Sequence, residues 1–308
     1  MNAPAANPRR AIPAGMAFST WNAADGWPLR CFAWPQGDAA RGSILFLTGR
    51  GDFVEKYLEV LAHWHAQGWE LAGFDWRGQG GSGRLLSDPL ICHQQSFDPL
   101  VGDLAGFVAD WRRATPTPHV IVAHSMGAHL TLRLLAERQS GLDAAVLACP
   151  MIDIRVKAIP GWGLGTIARG AALLGRAEKK VWHRDIGDVG GRMTSCPDRR
   201  SDKAWWKAHQ PAIASGPPSW GWVLAARGSI RRLTRRAMRG IDTPLLLLGT
   251  ERDPIVDIRA IRRAASFLPR AELSVFGGGG HELLREADDR RLPVLARIDA
   301  FLANFDEL

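Results

Sequence analysis

Apolar residues along the chain follow two rhythms. Short unbroken runs rich in Val, Ile, Leu and Phe, such as "SILFLTG" (43–49), "ELAGFDW" (70–76), "HVIVAHS" (119–125) and "AAVLACP" (144–150), have the pattern of strands buried on both faces. Between them, "FVEKYLEVLAHWHAQG" (53–68), "FDPLVGDLAGFVADWRR" (97–113) and "MGAHLTLRLLAERQ" (126–139) space their apolar positions three and four apart and predict helices. Ahead of this alternation, residues 16–35 read as two short strands around the turn residues 22–26, a hairpin signalled by Asp25-Gly26. After Pro150 the alternation stops for about 90 residues. It resumes with "TPLLLLGT" (243–250), a helix near 258–267, the strand "AELSVFG" (271–277) and a last helix over 292–305. Strands alternating with helices of this length predict a mostly parallel sheet covered by helices on both faces, and the interruption predicts an insertion above it. The expected division is a core over 16–150, an insertion over 151–240 and a second core segment over 241–305.

Length and composition agree with this. A chain of 308 residues, 46% hydrophobic and 23% charged, is long enough to bury a large core and is neither fibrous nor disordered in composition. Cys31, Cys92, Cys149 and Cys196 are widely spaced and show no paired motif, which points to a reducing compartment. The amino terminus has Arg9 and Arg10 but no apolar run after them, so it does not resemble a secretory signal. The uncharged stretch 158–168, in the middle of the chain, is far below the roughly 20 residues of a spanning helix. A cytoplasmic protein is expected.

Charge changes the picture of the insertion. Residues 151–240 hold 18 Lys or Arg against 6 Asp or Glu, more than the whole net excess of +8, and 6 of the 13 tryptophans. Such a segment suits contact with an anionic surface or an amphiphile. Its other reading is a solvated basic face over buried tryptophans.

The candidate chemistry centres on "AHSMG", residues 123–127. Ser125 stands where a strand hands over to a helix, flanked two residues away by the small Ala123 and Gly127, as a nucleophile elbow requires. A serine hydroxyl needs a base oriented by an acid. Asp253 and His281 each follow a strand of the returning half, and the order Ser125, Asp253, His281 is the one this architecture uses. Asp242 and Asp257 compete for the acid role, but the first precedes its strand and the second opens the next helix. His124 is expected to point away from the serine by strand alternation. The oxyanion formed on attack needs donors, for which the main-chain N–H groups of Met126 and Arg50 are the candidates.

Four stretches, "FLTGRGDFVEKY", "FDWRGQGGSGR", "AHSMG" and the pair "TERDPIVD" with "GGGGHELLRE", make the chain resemble the α/β-hydrolase superfamily. Within it the resemblance is to the lysophospholipase and monoacylglycerol lipase branch, related to the serine aminopeptidases. It covers roughly Phe18 to Leu302, and departs from the family pattern at Thr48, where His commonly precedes Gly, and at Ala123 in place of Gly. It implies an α/β-hydrolase fold with a helical cap over 151–240, and an ester hydrolase acting on a small monoacyl lipid through an acyl-enzyme.

Other motifs weigh less. "GQGGSG" (78–83) matches a dinucleotide fingerprint but is followed by "RLLSDPL" rather than a helix, and the resemblance makes Asp75, Arg77, Gly78 and Gly80 a structural turn. Gly277 to Gly280 lack the Lys and Ser/Thr of a phosphate loop, and His and Cys never cluster at ligand spacing, so no cofactor and no metal are expected. The basic run 227–240 has no interleaved aromatics for stacking bases, which argues against nucleic acid. Two alternatives stay open: a serine aminopeptidase, for which the insertion offers few carboxylates (Asp153, Glu178, Asp185, Asp188, Asp198, Asp202), and a non-catalytic ligand-binding homologue.

Overall fold

The structure, a computed structural model, describes residues 7–37, 40–138, 140–154, 161–182 and 193–306. Parts of the expected insertion, 155–160 and 183–192 with Asp185 and Asp188, and the start of the uncharged stretch 158–168, therefore lie outside the described residues, as does the Trp162 side chain.

The strands are β1 (Ala17–Asn22), β2 (Pro28–Trp34), β3 (Gly42–Leu47), β4 (Trp69–Phe74), β5 (His119–His124), β6 (Ala144–Ala148), β7 (Leu245–Thr250) and β8 (Ala271–Phe276). They form one eight-stranded sheet in the order β1-β2-β4-β3-β5-β6-β7-β8. The predicted hairpin β1–β2 joins antiparallel at one edge, and every pair from β4 to β8 is parallel.

The helices are α1 (Leu58–His65), α2 (Asp98–Ala114), α3 (Met126–Glu137), α4 (Gly161–Leu173), α5 (Pro197–His209), α6 (Trp220–Arg232), α7 (Arg235–Arg239), α8 (Ile258–Ala265) and α9 (Asp288–Leu302). Alternate residues of each strand feed opposite cores. Leu45 and Leu47 of β3 pack in a cluster with Leu104 of α2, Leu130 of α3 and Ile261 of α8. Ile44 and Phe46 face Leu61 and Trp64 of α1 and Ile298 of α9. Helices α4 to α7 all lie between β6 and β7, which is where the hydrophobic alternation broke off.

Two elements differ from expectation. Residues 53–68 predict one helix, but Val54–Tyr57 form a tighter 3-10 turn before α1. Its side chains are claimed by buried partners: Glu55 by Arg30, and Lys56 and Tyr57 by Asp52. The last helix starts at Asp288 rather than 292. Asp288 and Asp289 occupy its first turn, where acidic side chains suit the helix dipole, and Pro293 sits inside it at the loss of one backbone hydrogen bond.

The turn at 78–83 closes against the core instead of opening a helix: a Cβ on Gly80 would lie 2.3 Å from the Asp75 carboxylate, and one on Gly81 2.4 Å from Arg30. At the other end of the described chain, Arg9 and Arg10 both pair with Asp202 of α5 (2.7 and 2.8 Å), and Trp206 donates to the Arg9 carbonyl. The four cysteines are all free thiols. No helix among the described residues is long and apolar enough to cross a membrane.

Candidate active site

Strand β5 ends at His124 and α3 begins at Met126, so Ser125 alone makes the turn between them. Its φ of +53° is a conformation L-residues avoid, and among the described residues only Cys149 (+46°) shares it without being glycine. The strain is held by the surrounding backbone: the Ser125 N–H donates to Ala148, and its carbonyl accepts from His129 and Met151. Gly127 is required, because a Cβ there would meet the Thr48 carbonyl oxygen at 2.6 Å and that of Leu47 at 2.9 Å. Ala123 is accommodated in the fully buried strand, paired with Leu47 and Leu147.

All three residues expected to carry the chemistry come together. The Ser125 hydroxyl donates to Nε2 of His281 over 2.8 Å, and Nδ1 of His281 donates to Asp253 Oδ2 over 2.7 Å. The other Asp253 oxygen accepts the N–H groups of Ile255 and Val256. Burial pushes the Asp253 carboxyl up, but the facing His281, with its hydrogen bond, and these two amides outweigh it and bring the group below its ordinary range. Asp257 caps α8 by accepting from Arg259, and so serves the structural role expected of it.

Beside the acid lies Cys149, whose thiol is pushed up by burial and by the Asp253 charge and stays protonated. Cys149, Asp253 and His281 are the one group of three metal-ligating side chains that comes together among the described residues, with donor atoms within 4.8 Å of one another. An ion there would have to displace the hydrogen bond between His281 and Asp253.

The loop after β3 passes directly over the nucleophile. A Cβ on Gly49 would lie 3.2 Å from that of Ser125, and both Gly49 and Arg50 line the cavity that contains Ser125 and His281. Gln79 accepts the Gly51 N–H and so ties this loop to the 78–83 turn. Met126 opens α3, whose first-turn N–H groups have no acceptor within the helix. The two amides expected to receive the oxyanion thus belong to the two segments that adjoin Ser125.

His124 corrects an expectation. Instead of pointing away, its buried ring lines the cavity, packs 4.8 Å from the His281 ring, and donates from Nε2 to the His281 carbonyl over 3.1 Å. Its Nδ1 lies 3.1 Å from the Tyr57 hydroxyl, which also donates to Asp52 at 2.8 Å. Burial, reinforced by the neighbouring His281, lowers His124 to about 4, so it is neutral at ordinary pH. Alternation failed here because the strand ends at this residue and the chain turns.

A second buried tie runs parallel to it: Lys56 bridges Asp52 and Glu282 at 2.6 Å each, and Arg285 also pairs with Glu282. Burial raises Glu282, but Lys56 and Arg285 overcome this and take it to about 2; Lys56 and Lys203 likewise hold Asp52 ionised against its burial. Sequence reading missed this network. Its signal was the density of Asp52, Glu55, Lys56 and Tyr57 after β3 and the charge next to His281.

Around the triad the cavity has two characters. Met151, Ile154, Leu164, Trp182, Trp222 and Val223 form an apolar wall drawn largely from the segment between β6 and β7, and Asp52, His124, Lys203 and Glu282 form a polar one.

Comparison with known proteins agrees with this geometry. The family described as "Serine aminopeptidase, S33" matches residues 38–288. The chain is similar to the lysophospholipase L2 of Escherichia coli K12, at 31% identity over 84% of this chain and 79% of the relative, and to a probable lysophospholipase L2 of Haemophilus influenzae, at 29% over 86% and 84%. Its fold is that of a soluble variant of the Saccharomyces cerevisiae monoglyceride lipase, with a TM-score of 0.76 at 17% identity over 98% of this chain and 99% of that one. The chain belongs to the serine aminopeptidase S33 family of serine hydrolases, within the α/β-hydrolase superfamily, on the branch that includes lysophospholipases and monoacylglycerol lipases.

Proposed function

We propose that the protein hydrolyses the carboxylic ester of a monoacyl lipid, a lysophospholipid or a monoacylglycerol, through an acyl-enzyme on Ser125. The observation that carries this reading is the unbroken line Ser125–His281–Asp253 opening into a cavity with an apolar wall. In the first step His281 Nε2 takes the Ser125 proton as Oγ attacks the acyl carbonyl, and Asp253 stabilises the imidazolium. The amides of Met126 and Arg50 hold the oxyanion, each worth about 3 to 4 kcal/mol of barrier. His281 then returns the proton to the leaving alcohol, and water, deprotonated by the same nitrogen, releases the fatty acid and restores Ser125.

An aminopeptidase would need a free carboxylate for the substrate ammonium. The cavity has Asp52 and Glu282, but Lys56 pairs with both at 2.6 Å, with Arg285 also on Glu282 and Lys203 beside Asp52, and Asp202 is committed to Arg9 and Arg10. This favours the ester substrate. The cap boundaries at 151 and 240 belong to the same proposal, as does residence in the cytoplasm, which the four free cysteines support.

The test is a panel of lysophosphatidylcholine, monoacylglycerol and aminoacyl arylamides offered to the wild type and to Ser125→Ala. Fatty-acid release from the lipid esters, abolished in the variant, is expected. Cleavage confined to the arylamides, or equal in the two proteins, would overturn the reading.

A further inference from the structure

On the far side of the segment Met151–Ile154 lies a second, shallower crevice. Met151 and Ile154 face the active-site cavity, whereas Ile152 and Asp153 face the crevice, so four consecutive residues form the wall between them. Its floor is apolar, from Ile230 of α6, Met238 of α7, Ala260 and Ala264 of α8, and Phe267. Along α6 it begins about 10 Å from the cavity, the rise of the seven residues from Val223 to Ile230.

Arg263 lines the crevice, Arg235 lies over its Phe267, and the helices that form it carry further arginines as their rim. Arg231, Arg235, Arg236 and Arg239 come from the end of α6 and from α7, and Arg259 and Arg263 from α8; all six are exposed. None of the six pairs with a carboxylate among the described residues, whereas Arg232 nearby is matched to Asp98 and Glu137, and Arg262 to Glu251. Arg235 also lies over the Phe267 ring at 5.3 Å, which covers the one aromatic of the crevice. Asp153 is the single carboxylate that lines it. The excess of cations therefore extends past residue 240 onto α8 of the core, and it is concentrated around an apolar depression.

We propose that this surface, the arginine rim of α6, α7 and α8 with its apolar crevice, docks the protein on a bilayer containing anionic phospholipid. Guanidinium groups spread over three helices match a plane of phosphates rather than one strand of them, and a guanidinium can pair bidentately with a phosphate. The crevice accepts apolar lipid atoms that the head groups leave uncovered. Because the crevice shares a wall with the active site, docking there brings the cavity next to the reservoir of amphiphiles. Nucleic acid is disfavoured, since Trp222 is buried and Phe267 is covered, so neither ring is free to stack on a base.

Vesicle co-sedimentation of the full chain tests this without reference to hydrolysis. Vesicles of pure phosphatidylcholine are compared with vesicles that also carry phosphatidylglycerol, at low and at physiological salt. Binding to the second kind alone, falling as salt rises, is expected. Each of Arg235→Ala, Arg236→Ala, Arg239→Ala and Arg263→Ala should weaken it about fivefold, and the four together by about 100-fold or more. A control that removes the same charge elsewhere, Arg112→Ala with Arg113→Ala, Arg138→Ala and Arg270→Ala, should change it far less. Hydrolysis of a soluble short-chain ester shows that the quadruple variant is folded. Equal binding to both vesicles, binding to neither, an equal loss in the control, or arginine-dependent binding to single-stranded RNA without binding to vesicles would each overturn the proposal.

Discussion

His124 Nε2 lies 3.1 Å from the carbonyl oxygen of His281, so the residue before the nucleophile holds the loop that carries the base. A second link, Lys56 to Glu282, ties that loop to the one over the oxyanion site. Nucleophile, base and oxyanion loop are thereby fixed to one another through a buried polar frame as well as through the sheet. His124→Phe keeps the bulk but removes the donor. It should lower kcat by about 10- to 100-fold, as expected from a displacement of the base by under an ångström, with a smaller effect on KM. Steady-state kinetics on a monoacyl ester would show the split.

Asp253→Asn separates geometry from charge. The side-chain oxygen can still accept from Ile255 and Val256, but the amide nitrogen then faces His281 and forces the wrong tautomer. The protein should fold normally while kcat falls by about 10⁴. Near-wild-type turnover in a correctly folded variant would refute the role of this carboxylate.

Lys56→Met should be among the most damaging changes in the chain. It leaves Asp52 and Glu282 buried without their shared cation, for which about 3 to 5 kcal/mol is the usual loss. The double replacement with Glu282→Gln should recover part of it. Urea unfolding of the single and double variants measures both.

Gly127→Ala drives a methyl into the carbonyl oxygens of Thr48 and Leu47, which are backbone and cannot rotate aside. A loss of about 1 to 3 kcal/mol is expected, together with displacement of the oxyanion loop. Ala123→Gly, on the other side of the serine, should cost less, about 0.5 to 1 kcal/mol of backbone entropy in a buried strand.

Acid should destabilise the protein through its buried histidines. His124 is lowered to about 4 and His129 to about 3, both mainly by burial, from an ordinary value of 6.5. The unfolded chain therefore binds protons that the folded chain refuses, so the stability these groups confer is present above pH 6.5 and is lost as pH falls toward the folded values. Between pH 7 and pH 5 the loss is about 2 kcal/mol for each histidine. His129→Leu should flatten the unfolding free energy measured against pH by that amount.

The core and the triad were readable because each rests on local grammar. Ser43 to Gly49 and His119 to Ser125 are too apolar to be anything but buried strands, and Ser125, Asp253 and His281 follow such runs by one, three and five residues. What escaped is built from long-range pairs. Nothing in the order of residues joins Lys56 to Glu282 or Tyr57 to His124, 226 and 67 positions apart. Strand alternation misplaced His124 because the rule assumes that the strand continues, and it does not. The 3-10 turn at Val54–Tyr57 has helical spacing, but its buried anchors decide its pitch.

The φ of +53° at Ser125 sorts the side chains that can stand there before their reactivity is asked for. Threonine, branched at Cβ, is nearly excluded from such a conformation, whereas cysteine has the shape of serine. Exchange for cysteine would install a thiol in the apolar-walled cavity on an otherwise untouched frame. Its alkylation rate would then report how strongly that frame activates whatever atom it presents.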